Sequence, residues 1–337
     1  MDTSLYKDVV TSRGLTYSYY FSPAQPSKPT LLFCHGFPCT SYDWRHIAPR
    51  LKDKGYGVLA LDMLGYGGTD KPTDPAAYVP SLISKDIIDI MDAEKLDKVI
   101  AIGNDWGCKA ISRLANYYPE RVLAYAFLGV SFVQVLPPMD FEVFLAYLKE
   151  NVGHELFGCW TFFSEPDSDE VLQAHIDSFV NIEFPHDPEI WKERLAPTGA
   201  LKQNLLDNFT SPRTAYLSEE DVKHFVETFR RNGFAAPTCW FRIATSKLSA
   251  EDDLRASSYP FGPVSHGAPI YHAVATNDFL CPPKADFASF RQEVFSKHSV
   301  TTQELDADHF LILSHGDEIS RGLEEWIEGT VAAKVGL

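Results

Sequence analysis

The segment AIGNDWGCKA, residues 101–110, has the pattern of a buried strand, a tight glycine turn and the start of a helix. Its centre, GNDWG (residues 103–107), has the form G-x-nucleophile-x-G. Two glycines permit a sharp turn that lifts the central side chain above the edge of a sheet. The central residue is Asp105, where a serine or cysteine is the usual nucleophile. A glycine-flanked aspartate after a strand also fits an ordinary helix cap, so the motif needs support from the rest of the chain.

Strand and helix patterns alternate through the first 135 residues and again near the carboxyl end. This alternation is typical of a mostly parallel sheet with crossover helices. The predicted strands lie in YKDVVTSRGLTYSYYFSP, PTLLFCHGF, YGVLALDM, KVIAIGN, RVLAYAFLGVSFV, APIYHAVATNDFLCPP and SVTTQELDADHF. The predicted helices are DWRHIAPRLKDKG, SLISKDIIDIMDAEKL with Ser81 as its cap, WGCKAISRLANYYPE, KADFASFRQEVFSK and DEISRGLEEWIEG.

Between these two regions the sequence changes to helices rich in aromatic residues. We therefore predict an α/β fold interrupted by a helical cap. The first part of the core spans residues 1–136, the cap 137–259 and the second part of the core 260–337.

Composition excludes several classes of partner. The 337 residues carry a net charge of −16, which repels nucleic acid and anionic membrane surfaces. We find no run of about 20 apolar residues and no signal-peptide pattern at the start.

The cysteines lack zinc-site and C-x-x-C spacing, so we expect thiols, no metal, no cofactor and a cytoplasmic location. A homodimer is left open. The six cysteines are Cys34, Cys39, Cys108, Cys159, Cys239 and Cys281.

Two further residues complete a candidate catalytic set. Asp278 follows the predicted strand YHAVATN, and His309 follows TTQEL within DADHF. The chain order Asp105, Asp278, His309 is that of nucleophile, acid and base. A lone histidine before an aromatic residue is commonly structural, but its place after the last predicted strand makes His309 the candidate base.

The motifs HGFP, GYGGTDKP, GNDWG, ATNDFLCPP and DHF together resemble those of the α/β-hydrolase superfamily. Within it they are similar to the branch of epoxide hydrolases and haloalkane dehalogenases, in which an aspartate replaces the serine. The resemblance implies an α/β-hydrolase fold with a helical cap. It also implies that the backbone N–H groups of Phe37 and Trp106 form an oxyanion hole.

An aspartate suits attack at an alkyl carbon. A carboxylate is already ionised at neutral pH, so it needs no base for the first step. Attack at an acyl carbon would give a reactive anhydride, whereas attack on an epoxide or a haloalkane gives a stable ester. Water activated by His309, with Asp278 orienting the imidazole, would then attack the carbonyl carbon of Asp105. We predict an apolar organic substrate of medium size.

The cap segments depart from the pattern of that family. Epoxide hydrolases of this branch carry two cap tyrosines that protonate the epoxide oxygen. Matching FGCWTFFSEP and PTCWFR to their segments places Cys159 and Phe241 at those positions. Cysteine is a weak donor and phenylalanine donates no proton.

Alternatives to epoxide hydrolysis therefore stay open. The indole N–H groups of Trp106 and Trp160 would suit a halide leaving group, although packing alone also explains Trp160. A non-hydrolytic isomerase, a cyclase or a ligand-binding protein is a further alternative. The predicted pocket residues are Trp106, Cys159, Trp160, Phe241 and Phe310.

Overall fold

The computed structural model describes residues 1–135, 137–255, 267–283 and 298–335. Eight strands form one sheet in the order β1-β2-β4-β3-β5-β6-β7-β8. β1 and β2 are antiparallel to their neighbours, and all other pairs are parallel. The strands are β1 (Tyr6–Val10), β2 (Thr16–Ser22), β3 (Thr30–Cys34), β4 (Gly57–Leu61), β5 (Val99–Asn104), β6 (Val122–Leu128), β7 (Ile270–Ala275) and β8 (Val300–Leu305).

The central strands are continuous apolar runs because the sheet is covered on both faces. Every residue of β3, β4, β5 and β7 is buried, whereas the edge strand β1 has no buried residue. The α-helices that accompany the sheet are α1 (Ala48–Asp53), α2 (Pro80–Ala93), α3 (Trp106–Tyr117), α13 (Leu311–Ser314), α14 (Gly316–Trp326) and α15 (Ala332–Val335). The predicted alternating fold is confirmed.

Among the described residues between β6 and β7 the chain forms nine α-helices, α4 to α12, and we call this segment the helical insertion. They are α4 (Phe141–Val152), α5 (Cys159–Phe163), α6 (Ser168–Ala174), α7 (Ile176–Glu183), α8 (Trp191–Arg194), α9 (Ala200–Leu206), α10 (Glu219–Asn232), α11 (Cys239–Thr245) and α12 (Leu248–Arg255). Leu136 and residues 259 and 260 lie outside the described residues. The division into 1–136, 137–259 and 260–337 therefore stays a prediction, as does the helix KADFASFRQEVFSK, all of which lies outside the described residues.

Hydrogen bonds to two aspartates of α12 connect this helix to α2 and α3 of the core. Both the backbone N–H and the hydroxyl of Ser81 donate to the carboxylate of Asp252, each at 2.7 Å. Ser81 is therefore not the cap of α2, which begins one residue earlier at Pro80. The guanidinium of fully buried Arg113 donates to both oxygens of Asp253, at 2.6 and 2.7 Å. A search of the described residues finds no helix long and apolar enough to cross a membrane.

Candidate active site

Asp105 lies at a strained turn between β5 and α3. Its φ of 51° is in the left-handed region, which costs a non-glycine residue on the order of 1–3 kcal/mol. The turn needs glycine around it: a Cβ at Gly107 would collide with the carbonyl oxygen of Cys34, and one at Gly36 would collide with the Asp105 carboxylate. This close packing holds the carboxylate at the carboxyl edge of the parallel strands, where ligands of open α/β sheets bind.

Backbone groups face the Asp105 carboxylate. The N–H of Phe37 donates to its Oδ1 at 2.8 Å. Trp106 is the first residue of α3, so its N–H is among those that the helix itself does not pair. Both predicted oxyanion-hole residues therefore lie beside Asp105, and the positive end of the α3 dipole favours negative charge there.

His309 lies between the two carboxylates of the predicted set. Its Nδ1 is 2.7 Å from Oδ2 of Asp278, and its Nε2 is 3.4 Å from Oδ2 of Asp105. The other oxygen of Asp278 accepts the N–H groups of Leu280 and Cys281, both at 2.8 Å. These bonds fix Asp278 so that it orients the imidazole. Residues 105, 278 and 309, which the sequence places far apart, are thus brought together.

The charge of His309 depends on its two carboxylate neighbours. Burial lowers the pKa of His309, but the carboxylates of Asp278 and Asp105 outweigh burial and raise this pKa well above its ordinary value. The imidazole therefore carries a proton while Asp105 is ionised. Asp278, Cys281 and His309 also offer possible metal-ligand atoms within 4.8 Å of one another. The Asp278–His309 hydrogen bond already uses the imidazole Nδ1, so a metal bound through that atom would have to displace it.

A cavity of about 440 Å³ opens above Asp105 between the core and the helical insertion. Cys159, Trp160 and Phe241 line it together with Asp105 and His309. Its aromatic lining residues are Phe37, Trp106, Phe132, Phe141, Phe144, Phe157, Trp160, Phe163 and Phe241. This wall favours an apolar ligand of medium size.

Phe310, a predicted pocket residue, does not line this cavity. Its ring is 1% exposed and packs against Phe184, with the ring centres 4.4 Å apart. It meets the imidazole of His309 edge to face at 5.3 Å. Phe310 therefore supports the imidazole from behind, because the chain turns into α13 directly after His309 and carries the next side chain into the core.

The two indoles that would bind a halide are neighbours. The rings of Trp106 and Trp160 are 5.0 Å apart, and neither N–H has a hydrogen-bond partner among the described residues. Three other side chains of the helical insertion that could donate a proton, His154, Tyr147 and Tyr216, do not line the cavity. The hydroxyl of Tyr216, for example, donates to Asp308 at 2.9 Å.

Four further acidic or basic residues of the cavity wall were not predicted from the sequence: Lys109, Glu183, Lys247 and Asp253. Glu183 lies at the end of α7, and the ammonium of Lys109 donates to the Ser249 hydroxyl. Burial lowers the pKa of Lys109 to about 8, against the nearby charge of Asp253. A signal for Glu183 was present: it shares a helical face with Ile176, and an acidic residue on an apolar face indicates a buried carboxyl group.

A parallel sheet with a nucleophile elbow and a helical insertion above it defines an α/β hydrolase. Residues 29–156 match the family described as alpha/beta hydrolase fold. The chain is 32% identical to epoxide hydrolase 2 of Siraitia grosvenorii, over 90% of this chain and 92% of that protein. It is 28% identical to the pig bifunctional epoxide hydrolase 2, but spans only 52% of that protein.

The structural comparison agrees with these sequence matches. Epoxide hydrolase A of Mycobacterium thermoresistibile is 25% identical and superposes with a TM-score of 0.79, covering 96% of this chain and 98% of the other. The chain belongs to the epoxide hydrolase family of the α/β-hydrolase superfamily. The family resemblance seen in the sequence motifs is confirmed.

Proposed function

We propose that this protein hydrolyses an epoxide of an apolar organic molecule through an ester on Asp105. The observation that carries the proposal is the Asp105 carboxylate at the floor of an aromatic cavity, 3.4 Å from His309. Oδ1 is held by the Phe37 N–H, which leaves Oδ2 to attack a ring carbon. The ring C–O bond breaks as the ester bond forms, and the freed oxygen takes a proton.

Ester formation prepares the second step. It removes the negative charge of Asp105, one of the two carboxylates that raise the pKa of His309. The imidazole then releases its proton to solvent and accepts one from water, whose oxygen attacks the carbonyl carbon of Asp105. The oxyanion points to the N–H groups of Phe37 and Trp106. Breaking the ester C–O bond frees the diol, which takes a proton from His309. The Asp105 carboxyl group then loses its proton and His309 regains one from solvent, which restores both groups.

A trapping experiment tests this proposal. His309→Gln removes the base, so an ester of substrate mass should accumulate on the peptide that contains Asp105 when the protein meets a panel of aryl and alkyl epoxides. Asp105→Asn, assayed under conditions that prevent deamidation, should give neither adduct nor turnover. Product without any adduct would contradict the ester route and favour non-hydrolytic chemistry on this scaffold.

Dehalogenation is the second candidate. The Trp106 and Trp160 indoles lie side by side in the cavity, and no described residue accepts a hydrogen bond from either indole N–H. A leaving halide needs such hydrogen bonds rather than a proton. Halide release from a panel of haloalkanes and haloacids separates the two functions. An absence of halide release across the panel would eliminate this candidate.

We also propose that the protein works in the cytoplasm. All six cysteines lie among the described residues and none forms a disulfide, which fits a reducing compartment. Fractionation of the native host tests this location. The homodimer stays a prediction, and the molar mass from light scattering on a gel-filtration column tests it.

A further inference from the structure

Glu183 places a third carboxyl group in the wall of the catalytic cavity. It is the last residue of α7 and lines the cavity with Asp105 and His309, although its side chain is almost wholly buried, at 4% exposure. Its Oε2 is buried and has no hydrogen-bond partner among the described residues. A buried carboxylate without partners costs far more than a neutral carboxyl group, so this unpaired oxygen indicates a protonated side chain in the cavity wall.

The neighbours of Glu183 favour its neutral form. Burial raises the pKa of Glu183, the Asp105 charge raises it further, and the His309 charge lowers it, which together give about 8. The other titratable groups that interact with it are Cys39 and Cys159, buried thiols whose own pKa values are raised by burial. Glu183 is therefore a carboxylic acid at neutral pH, able to donate a proton that a carboxylate lacks.

Glu183 also lies in the cavity from which both expected cap tyrosines are absent. Glu183 and Cys159 line the same cavity, and Cys159 occupies the position of the first expected tyrosine. Cys159 is a weak donor and Phe241 donates no proton. The cavity therefore lacks both expected acids but contains a different one.

We propose that Glu183 is the catalytic acid that protonates the epoxide oxygen as the ring opens. This inference rests on the proposed function. The Asp105 carboxylate forms a bond to the ring carbon, the ring C–O electrons pass to oxygen, and that oxygen takes the Glu183 proton and becomes the alcohol. Negative charge moves from Asp105 to Glu183. Hydrolysis of the ester to a carboxylate and an alcohol then releases one proton, which returns to Glu183.

The electrostatics assist each half of this cycle. While Asp105 is ionised, its charge discourages ionisation of Glu183 and keeps the proton in place. As Asp105 becomes an ester, that repulsion disappears and Glu183 becomes the stronger acid at the moment when the substrate oxygen needs a proton. When Asp105 is ionised again, Glu183 regains its affinity for the proton.

The test measures the rate of ester formation on Asp105 by rapid chemical quench and peptide mass, with styrene oxide as the probe. Glu183→Gln keeps the shape of the side chain and removes the transferable proton. We expect ester formation to slow by about 10²–10⁴-fold. Glu183→Asp retains an acid and should recover part of that loss. Ser178→Ala on the same helix is the control, because Ser178 is buried and lies outside the cavity wall.

The pH profile separates proton donation from a structural effect. In the native protein the rate of ester formation should fall above about pH 8 as Glu183 ionises. This decline should be absent in Glu183→Gln. A Glu183→Gln rate within about threefold of native, or a slow rate with the native decline, would overturn the inference. If the native protein forms no ester with the epoxide panel, the proposed function fails instead.

Discussion

Replacing Glu183 by Gln should change how the stability of the protein depends on pH. The native carboxyl group has a pKa of about 8, against 4.5 when it is unperturbed in the unfolded chain. A raised pKa means that the folded state binds the proton more tightly. Its contribution to stability is therefore complete below pH 4.5 and is lost as the pH rises through about 8.

The size of the effect follows from these two values. Between pH 5 and pH 8 the folded state binds up to one proton more than the unfolded state, at about 1.4 kcal/mol per pH unit. The difference in unfolding free energy between Glu183→Gln and the native protein should therefore shift by roughly 3 to 4 kcal/mol in favour of the variant across this range.

Denaturant unfolding of both proteins at half-unit steps of pH measures this shift. Glu227→Gln is the matched control, since Glu227 lies on an exposed face of α10 with 66% of its side chain accessible. Its difference from the native protein should stay within about 0.5 kcal/mol over the same range. If the unfolding free energies of Glu183→Gln and the native protein change in parallel with pH, Glu183 is not a neutral buried carboxyl group in the folded protein.

Three other substitutions test the site and its supports. Asp278→Asn should slow ester hydrolysis by about 10²–10⁴-fold, because the imidazole of His309 loses its orientation, and the ester should accumulate in quenched samples; a native rate of hydrolysis would contradict this role. Gly36→Ala should destabilise the fold by about 1–3 kcal/mol and greatly reduce turnover, because the added methyl group collides with the Asp105 carboxylate. A variant with the native kcat and Tm would contradict this close packing. Arg113→Met removes both hydrogen bonds from the guanidinium to the buried Asp253 carboxylate and leaves it, among the described residues, only the Lys109 ammonium as an ion partner, 3.9 Å away. The variant should lower the unfolding free energy by about 3–5 kcal/mol in denaturant, whereas a loss below about 1 kcal/mol would contradict the buried pair.

Local pattern predicts much of this site. The glycines around Asp105 indicate the elbow because only a residue without Cβ fits that turn, and apolar runs indicate the strands after which Asp278 and His309 lie. Because carboxyl ends of parallel strands meet at one edge, the sequence also predicts that these three residues converge.

Other features depend on contacts between distant segments. Phe310 is next to the predicted base, but adjacency in sequence does not decide which side of the chain faces the cavity. Glu183 comes from the helical insertion, and it is neutral mainly because folding buries it, with the Asp105 charge raising its pKa further. Ser81 fits a cap signature, yet it binds Asp252 on α12 because the helix begins earlier at Pro80.

The central claim is that Asp105 forms a covalent ester, and one turnover in ¹⁸O-labelled water tests it most directly. With the protein in excess over the epoxide, the ester route transfers the ring carbon to unlabelled Asp105, and water then attacks the carboxyl carbon. The diol should therefore contain no ¹⁸O, while the peptide that contains Asp105 gains the label. Diol that contains ¹⁸O after a single turnover, beside an unlabelled peptide, would show direct attack by water and contradict the account.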